Sequence, residues 1–177
     1  PLDSNLKNFL SSTSTVLIYD MEFTSWLGSN ERNWSFPEED REVIQIGAVK
    51  IETAGNLREV ECFSNFVRPL KNPLLSEYIV NLTGITQEKI ETEGVLFPLA
   101  MSRFISFIGE FPINILSHGG DEDVIEENCQ IHGIPFPSIF TTATNLKPYF
   151  SEILGIPQRD CIGGILPELF GLNNHEK

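Results

Sequence analysis

Apolar and polar residues in the first part of the chain follow the patterns of β-strands. Residues 15–19 (TVLIY) form a short apolar run rich in β-branched and aromatic side chains, which is typical of a buried strand. Residues 42–51 and 57–67 predict two more strands, joined by the turn residues at 54–56. The polar segment 25–41 contains glycine, asparagine and proline and is predicted to be a loop. The pattern therefore predicts an antiparallel meander of three strands.

After residue 76 the apolar residues recur at helical spacing. Thr86 is a predicted N-cap for a short helix that begins at Gln87. A short apolar run at residues 113–116 predicts another strand. The remaining helices are predicted over residues 97–108, 124–132, 147–154 and 167–171. Strands followed by alternating strands and helices predict an α/β fold, in which a mixed sheet (an antiparallel meander plus parallel strands) is flanked by α-helices.

The length and composition of the chain fit one compact domain. Its 177 residues are 41% hydrophobic, and no apolar run approaches the length that crosses a bilayer. The first 15 residues lack the basic and then apolar pattern of a secretory signal. The three cysteines are widely spaced and form no CxxC pair, which argues against a disulfide framework or a zinc site. We therefore expect a single domain in the reducing cytoplasm, without membrane contact.

The charge balance restricts the nucleic acids that this chain could bind. With 12 basic against 25 acidic residues, the formal net charge is −13. Tight binding to long duplex normally needs clustered lysines and arginines, and the sequence shows no such cluster. An acidic chain can still bind short or single-stranded oligonucleotides if a bound metal ion reverses the local field.

Two carboxylates stand at the end of the first predicted strand. Asp20 and Glu22 are two residues apart, so on a strand their side chains point to the same face. Two negative charges beside a core repel each other and lose hydration, and a divalent cation such as Mg²⁺ or Mn²⁺ relieves both costs. The alternative is that the strand runs out into solvent, where acidic residues are ordinary.

A third carboxylate is predicted at a strand-to-helix junction. Asp121 and Asp123 follow the strand at 113–116 and precede the helix at 124–132. Ligands of open α/β sheets collect outside the carboxyl ends of strands. If this strand lies beside the first one, either aspartate would join Asp20 and Glu22, and three such carboxylates are hard to explain without a metal ion.

Four ordered segments of the chain resemble a known family. Residues 16–22 (VLIYDME), 42–49 (EVIQIGAV), 66–86 (ending in LTGIT) and 117–145 resemble successive motifs of the DEDD 3′–5′ exonucleases. The resemblance is to the DEDDh type, and in particular to the branch that trims histone mRNA and small RNAs. It implies a ribonuclease H-like fold over nearly the whole chain.

The resemblance assigns roles to the acidic residues. Asp20 and Glu22 take the first two metal-binding positions of the family. For the third position Asp121 is favoured over Asp123, because Val124 and Ile125 then lie three and four residues on, where helix–sheet packing needs apolar side chains. The implied cofactor is a pair of Mg²⁺ or Mn²⁺ ions held by these three carboxylates.

The resemblance also implies a reaction and a substrate. The reaction is metal-assisted hydrolysis of the 3′-terminal phosphodiester of RNA or single-stranded DNA, which releases nucleoside 5′-monophosphates. Phe23 and Thr24 follow the first motif and are expected to meet the terminal nucleotide, Phe23 by stacking. Leu82 and Thr83 resemble the segment that wedges against the last bases. The implied partner is therefore the 3′ end of a single strand.

The chain departs from the family at its last motif, a histidine followed by an aspartate. No aspartate follows His175, and we expect this histidine not to be catalytic. The prediction is therefore a single exonuclease domain over residues 1–177 that lacks the C-terminal motif. Two alternatives stay open: a catalytically impaired module of the same fold that binds nucleic acid or protein, and an acidic interaction domain with a calcium-like site.

Overall fold

A computed structural model of the chain describes residues 13–54, 57–109 and 113–163. Six strands, five α-helices and two short 3-10 helices form within these residues. In chain order they are β1 (Thr15–Phe23), β2 (Val43–Glu52), β3 (Arg58–Arg68), α1 (Glu77–Thr83), α2 (Gln87–Glu93), β4 (Val95–Leu96), α3 (Phe97–Ile108), β5 (Asn114–Ser117), α4 (Asp121–His132), a 3-10 helix (Ser138–Thr142), β6 (Thr144–Asn145), α5 (Lys147–Leu154) and a 3-10 helix (Gln158–Asp160).

The strands form one mixed sheet in the order β4-β3-β2-β1-β5-β6. β1, β2 and β3 pair antiparallel, as the meander predicted, whereas β5 pairs parallel with β1 and β6 pairs parallel with β5. The architecture confirms the predicted α/β class and the ribonuclease H-like arrangement. Because β5 is parallel to β1, its carboxyl end lies at the same edge of the sheet as the acidic residues of β1. Asp121, which follows β5, is therefore brought to that edge.

Helices cover both faces of the sheet. On one face, called here the first face, α1 and α2 pack over Ile44 of β2, and α5 packs over Val16 of β1. On the second face, α3 and α4 pack over Leu17 and Tyr19 of β1 in the main core. Because side chains alternate along a strand, Asp20 and Glu22 share the first face with Val16. They lie on β1, between the part of the sheet covered by α1 and α2 and the part covered by α5.

Most helix boundaries follow the sequence signals. Thr86 caps α2 as predicted, since its hydroxyl accepts a hydrogen bond from the backbone N–H of Lys89. α3 and α5 have the predicted bounds, but α4 begins at Asp121 rather than at Val124, so the acidic residues form its first turn. The two-residue strands β4 and β6 were not predicted. The helix predicted over residues 167–171 lies outside the described residues.

Two further expectations concern the whole chain. Within the described ranges, none of the helices combines the length and the apolar character needed to cross a bilayer. All three cysteines lie in those ranges, and each has a free thiol. Cys129 is buried in the main core, and this burial raises the pKa of its thiol to about 11, so the thiol is an inert part of the packing.

Candidate active site

β1 carries its two acidic residues inside the sheet rather than beyond its end. The strand continues through Phe23 because β2 pairs with it throughout: Asp20 lies opposite Gly47 and Glu22 opposite Gln45. A register shift follows directly after Glu22, where the strand pair is about to separate. Both carboxylates therefore project from a backbone that hydrogen bonds hold in place.

The turn between β5 and α4 places a third carboxylate beside them. Gly119 has a φ of 134°, a conformation that side chains with a Cβ rarely adopt, and its N–H donates to the side-chain oxygen of Asn145. The chain then enters α4 at Asp121, which is 6% exposed, whereas Asp123, two residues later on the same helix, is exposed to solvent. Of the two aspartates that the sequence left open, the structure buries Asp121 next to the acids of β1.

The electrostatics of Asp121 identify its neighbours. Burial raises the pKa of Asp121 to about 8, and the charges of Asp20, Glu122 and Glu22 add to this rise. Arg41 partly offsets it. The inner oxygen of Asp121, Oδ2, is buried and has no hydrogen-bond partner among the described residues. A carboxylate in this position is stabilised either by a proton or by a cation.

His118 is the charged neighbour that opposes the effect of burial on Asp20. Loss of hydration raises the pKa of Asp20, and His118 opposes the rise. Ile18 pairs with Leu116 and β5 ends at Ser117, so His118 directly follows the strand that lies beside β1. The His118 ring lies between Phe150, at 5.8 Å between ring centroids, and the thiol of Cys161, which is 3.8 Å from Nε2. His118 therefore packs beside Phe150 and Cys161 and also lies close enough to Asp20 to act on its pKa.

A buried polar network anchors the first turn of α4. The Ser117 hydroxyl donates to Oε1 of Glu122 at 2.8 Å, and the Tyr19 hydroxyl donates to the same oxygen at 3.0 Å. Ser117 is fully buried at the end of β5, and Tyr19 lies in the main core. Glu122 is thereby held on the second-face side, which leaves Asp121 directed toward Asp20 and Glu22.

The donor set fits a divalent cation in its chemistry but is not a closed cage. Within the ranges that the structure describes, no three acidic, histidine or cysteine side chains converge closely enough to hold one ion. The charges of Asp20 and Glu22 nevertheless act on Asp121. A buried carboxylate oxygen without a hydrogen-bond partner, such as Oδ2 of Asp121, is a suitable ligand for a hard cation.

The predicted substrate-binding residues after β1 have different environments. The Phe23 ring packs against Trp34 with 5.5 Å between ring centroids and stays half-buried. Thr24 is 2% exposed, and its hydroxyl donates to the carbonyl of Asp40 and accepts from the N–H of Glu42. These bonds close the loop that follows β1. The expectation that the Thr24 side chain meets a nucleotide is therefore corrected, because its hydroxyl is buried and used within the fold.

The predicted wedge residues lie at the end of α1. The Leu82 side chain is 55% exposed. Thr83 donates its hydroxyl to the carbonyl of Ile79 and accepts from the N–H of Ile85, so its polar group is used within the helix end. The Ser76 hydroxyl donates to the carbonyl of Ser25, which ties the start of α1 to the chain just after Glu22. Leu82 is thus the wedge residue with a side chain free to meet a base.

Sequence reasoning missed three residues of this region. His118 directly follows the strand at the predicted ligand edge, and that position was a signal in its favour. Arg41 and Glu122 carried no comparable signal, because their importance comes from contacts with residues far away in the sequence. His175, which we expected not to be catalytic, lies outside the described residues.

Comparison with known proteins gives a family match and several similar proteins. The model of the exonuclease family RNase_T matches residues 17–115. The Bacillus subtilis protein named "Probable 3′-5′ exonuclease KapD" is 33% identical over 127 residues, which are 71% of this chain and 58% of that protein. The Homo sapiens 3′-5′ exoribonuclease 1 is 23% identical over 166 residues, which are 89% of this chain and 45% of that protein. The chain thus spans about half the length of these two relatives.

Solved structures share the fold at lower sequence identity. The nuclease domain of 3′hExo, a DEDDh family member bound to rAMP, superposes with a TM-score of 0.80 at 23% identity, covering 94% of this chain and 84% of that one. Cell-death related nuclease 4 superposes with a TM-score of 0.73 at 22% identity, covering 93% and 57%. Enzymes of this family generally use divalent metal ions. The family model matches more than half of this chain, which shows that the chain belongs to the exonuclease family.

Proposed function

We propose that the protein is a metal-dependent 3′–5′ exonuclease that hydrolyses the 3′-terminal phosphodiester bond of RNA or single-stranded DNA and releases nucleoside 5′-monophosphates. The observation that carries this proposal is that the buried Asp121 lies within the electrostatic influence of Asp20 and Glu22 and has an oxygen without a hydrogen-bond partner among the described residues. Burial, and then the charges of Asp20, Glu122 and Glu22, raise the pKa of Asp121 to about 8. Family membership supports the reaction class, and the acidic cluster supports Asp20, Glu22 and Asp121 as the residues of its site.

Asp20, Glu22 and Asp121 would hold the metal ions, for which we propose two Mg²⁺ or Mn²⁺. Two divalent ions in such a site lower the pKa of a bound water and neutralise charge on the leaving 3′-oxygen. The protein residues keep the carboxylates in place: β2 fixes the backbone of Asp20 and Glu22, and the Ser117–Glu122–Tyr19 network fixes the start of α4. Asp123 is solvent-exposed and has no part in this proposal.

Selection of a free 3′ end would come from side chains beside the acids. The Glu22 carboxylate would accept a hydrogen bond from the terminal 3′-hydroxyl. The exposed Leu82 would press against the last base, and Phe23 would line the cleft from the side of Trp34. Thr24 supports this arrangement indirectly, because its buried hydroxyl holds the loop after β1 in shape.

The charge of the chain supports a single-stranded substrate. A formal net charge of −13 opposes binding to long duplex, whereas bound cations allow a short single strand to approach the acidic edge. We also propose that the chain forms a single domain and that the protein is cytoplasmic. The location is supported by three free thiols.

The test compares three variants in the longest natural form of the protein that contains this chain. A 5′-labelled oligonucleotide with a free 3′-hydroxyl should be shortened stepwise in Mg²⁺ or Mn²⁺ and not in EDTA. Asp20→Asn and Asp121→Asn should each lower kcat by about a thousandfold or more, since each removes a carboxylate that the transition state needs. Asp123→Asn is the matched control on the same helical turn and should stay within about twofold of the wild type.

Other outcomes would redirect the proposal. A strand that remains full length in both metals would count decisively against exonuclease activity. Oligonucleotide binding that persists in Asp20→Asn without any shortening in the wild type would favour the binding-module alternative. Equal losses in Asp121→Asn and Asp123→Asn would remove the assignment of Asp121 as the third ligand.

A further inference from the structure

The connection between β1 and β2 is a built structure rather than a simple turn. Antiparallel strands need only a few residues to connect, whereas residues 24–42 exceed the roughly 12–15 that structureless connections reach. Arg32 pairs with the buried Glu39 at 2.9 Å between Nε and Oε2. Asn33 and Trp34 have φ angles of 54° and 46°, a left-handed conformation that is costly for residues with a Cβ. The side-chain contacts of this loop therefore hold it in a conformation that is costly for its backbone.

The strained residues place Trp34 against Phe23 and Arg41. The Arg41 guanidinium lies 5.4 Å from the Trp34 ring centroid and 6.0 Å from that of Phe23. Arg41 also pairs with Glu127 of α4, at 2.9 Å between Nε and Oε2. The Trp34 Nε1–H is buried and has no hydrogen-bond partner among the described residues. Because this donor has no accessible surface, Trp34 offers a ligand the surface of its ring rather than its N–H group.

A cavity of about 550 Å³ lies between this loop and α4. Its size falls within the range of small-ligand sites. Trp34, Arg41 and Lys71 line one side, and Glu127 and Gln130 line the other. The cavity therefore joins an aromatic ring to side chains that can donate and accept hydrogen bonds.

The charges that line the cavity are compensated in pairs. Lys71 Nζ lies 2.8 Å from Oδ1 of Asp40, and Arg41 is paired with Glu127. Glu39 is paired with Arg32. A phosphate would find no unpaired cation among these lining residues, whereas an uncharged planar group would meet the Trp34 ring and the amide side chains of Asn33 and Gln130. A nucleobase has this chemistry.

The position of the cavity relative to the acids selects which base could enter it. Glu127, which lines the cavity, stands six residues after Asp121 on α4, about 9 Å along the helix axis, so the near end of the cavity lies about that far from Asp121. Gln130 stands nine residues after Asp121 on α4, roughly 13–14 Å along the helix axis at 1.5 Å per residue. That separation is too large for the terminal nucleotide, whose phosphodiester must lie at the acids.

We propose that this cavity is a subsite for a nucleobase upstream of the scissile bond, with Trp34 as its stacking residue and Gln130 as a hydrogen-bonding residue. The inference rests on the proposed exonuclease function, because the strand is aligned by its 3′ end at the acids. The subsite gives an acidic protein affinity for the strand through base stacking rather than through phosphate contacts. It also makes recognition depend on strand length.

The test measures binding as well as hydrolysis. The probes are a 5′-fluorescein tetranucleotide, bound in Ca²⁺ in place of Mg²⁺, and a nucleoside 5′-monophosphate, which reaches only the acids. Trp34→Leu should lower the ratio of tetranucleotide to monophosphate affinity about tenfold, the effect of losing one stacked base. Gln130→Ala, on the helix surface, should lower the same ratio about threefold without disturbing the loop. Phe36→Leu is the matched control, because Phe36 is an exposed aromatic residue of the same loop that does not line the cavity.

Abasic tetranucleotides locate the base. In the wild type, removal of one particular upstream base should weaken binding about tenfold, and in Trp34→Leu the same removal should have little further effect. The subsite alone would be overturned if the protein binds and shortens the strand but the ratio of tetranucleotide to monophosphate affinity is the same in all three variants. These variants are Trp34→Leu, Gln130→Ala and Phe36→Leu. A protein that binds no oligonucleotide, with Asp20→Asn indistinguishable from the wild type, would overturn both proposals.

Discussion

The hydroxyl of Tyr19 donates a hydrogen bond to Glu122 at 3.0 Å across the sheet–helix boundary. Burial and the Glu122 charge both raise the pKa of Tyr19, so the phenol stays protonated and remains a donor throughout the physiological range. The bond joins the core strand β1 to the first turn of α4, one residue after Asp121. The main core thereby fixes the place of a proposed metal ligand.

Tyr19→Phe tests this connection. Phenylalanine keeps the ring contacts with Phe104 and Phe140, at 5.7 and 5.6 Å between ring centroids, but removes the hydrogen bond to Glu122. We expect a loss of about 1–2 kcal/mol in the free energy of unfolding, measured by urea titration, because the acceptor is a carboxylate. Tyr78→Phe on α1 is the control and should cost less than about 0.5 kcal/mol. Equal losses of unfolding free energy in the two variants would show that the hydroxyl of Tyr19 contributes no more to stability than that of Tyr78.

The raised pKa of Asp121 predicts a pH-dependent stability in metal-free solution. The carboxyl ionises near 3.8 in the unfolded chain and near 8 in the folded one, so the unfolded state gives up its proton first as the pH rises. Stability should therefore be highest below about pH 4 for this group and should fall up to about pH 8, on the order of 1.4 kcal/mol per pKa unit at most. Urea unfolding at pH 5 and pH 8 measures the loss, and Asp121→Asn should reduce it and be the more stable protein at pH 8.

The control for this pH dependence is Asp123→Asn, whose side chain is exposed on the same turn. It should keep the slope of the wild type. Mn²⁺ at pH 8 should raise the melting temperature of the wild type more than that of Asp121→Asn, because a bound cation replaces the missing proton. A slope that is unchanged in Asp121→Asn would contradict the assignment of the raised pKa to this residue.

Local sequence signals predicted the framework of the site well. The β-branched run before Asp20, the cap at Thr86 and the helical spacing after residue 97 all depend on neighbours within a few residues, and the structure has the elements that they predict. The choice of Asp121 over Asp123 also rested on a local argument, the apolar spacing of Val124 and Ile125. Both of those side chains are buried, as that argument requires.

Features that depend on distant pairing could not be read from the sequence. β4 and β6 are two-residue strands that exist only because β3 and β5 offer them an edge. The Arg41–Glu127 pair joins residues 86 positions apart, and the stack of Arg41 on Trp34 requires two residues in a left-handed conformation that their types do not favour. No periodicity or spacing rule reports such contacts.

Leu82→Ser tests the wedge on α1. The Leu82 side chain is 55% exposed, so its replacement should change the free energy of unfolding by less than about 0.5 kcal/mol. If Leu82 presses against the terminal base, kcat/KM on an oligonucleotide should fall about tenfold, which corresponds to about 1.4 kcal/mol of lost contact in the transition state. Leu99→Ser is the matched control, because Leu99 is 48% exposed on α3, on the second face of the sheet. Equal activity of the two variants would remove Leu82 from the proposed cleft.

The buried side chain of Glu42 supports the last prediction, because it holds the segment that follows β3 and leads into α1. Its side chain is 1% exposed, and its carboxylate accepts from the backbone N–H groups of Leu70, Lys71 and Asn72 at 2.6–3.0 Å. Glu42→Gln keeps the shape but turns an amide NH₂ toward those donors. We expect a cost of about 3 kcal/mol in urea unfolding, since buried N–H groups lose a charged acceptor.

The same substitution should affect the proposed subsite, because Lys71 lines the cavity and the segment leads into α1. Glu42→Gln should therefore also become sensitive to limited proteolysis between residues 69 and 76. Glu61→Gln is the control: Glu61 pairs with Lys50 at 3.0 Å on the exposed part of β3, where an ion pair contributes about 0–1 kcal/mol. If Glu42→Gln unfolds at the same urea concentration as Glu61→Gln, the hydrogen bonds from the three backbone N–H groups to Glu42 do not stabilise this segment. Its stability must then come from the apolar packing of α1.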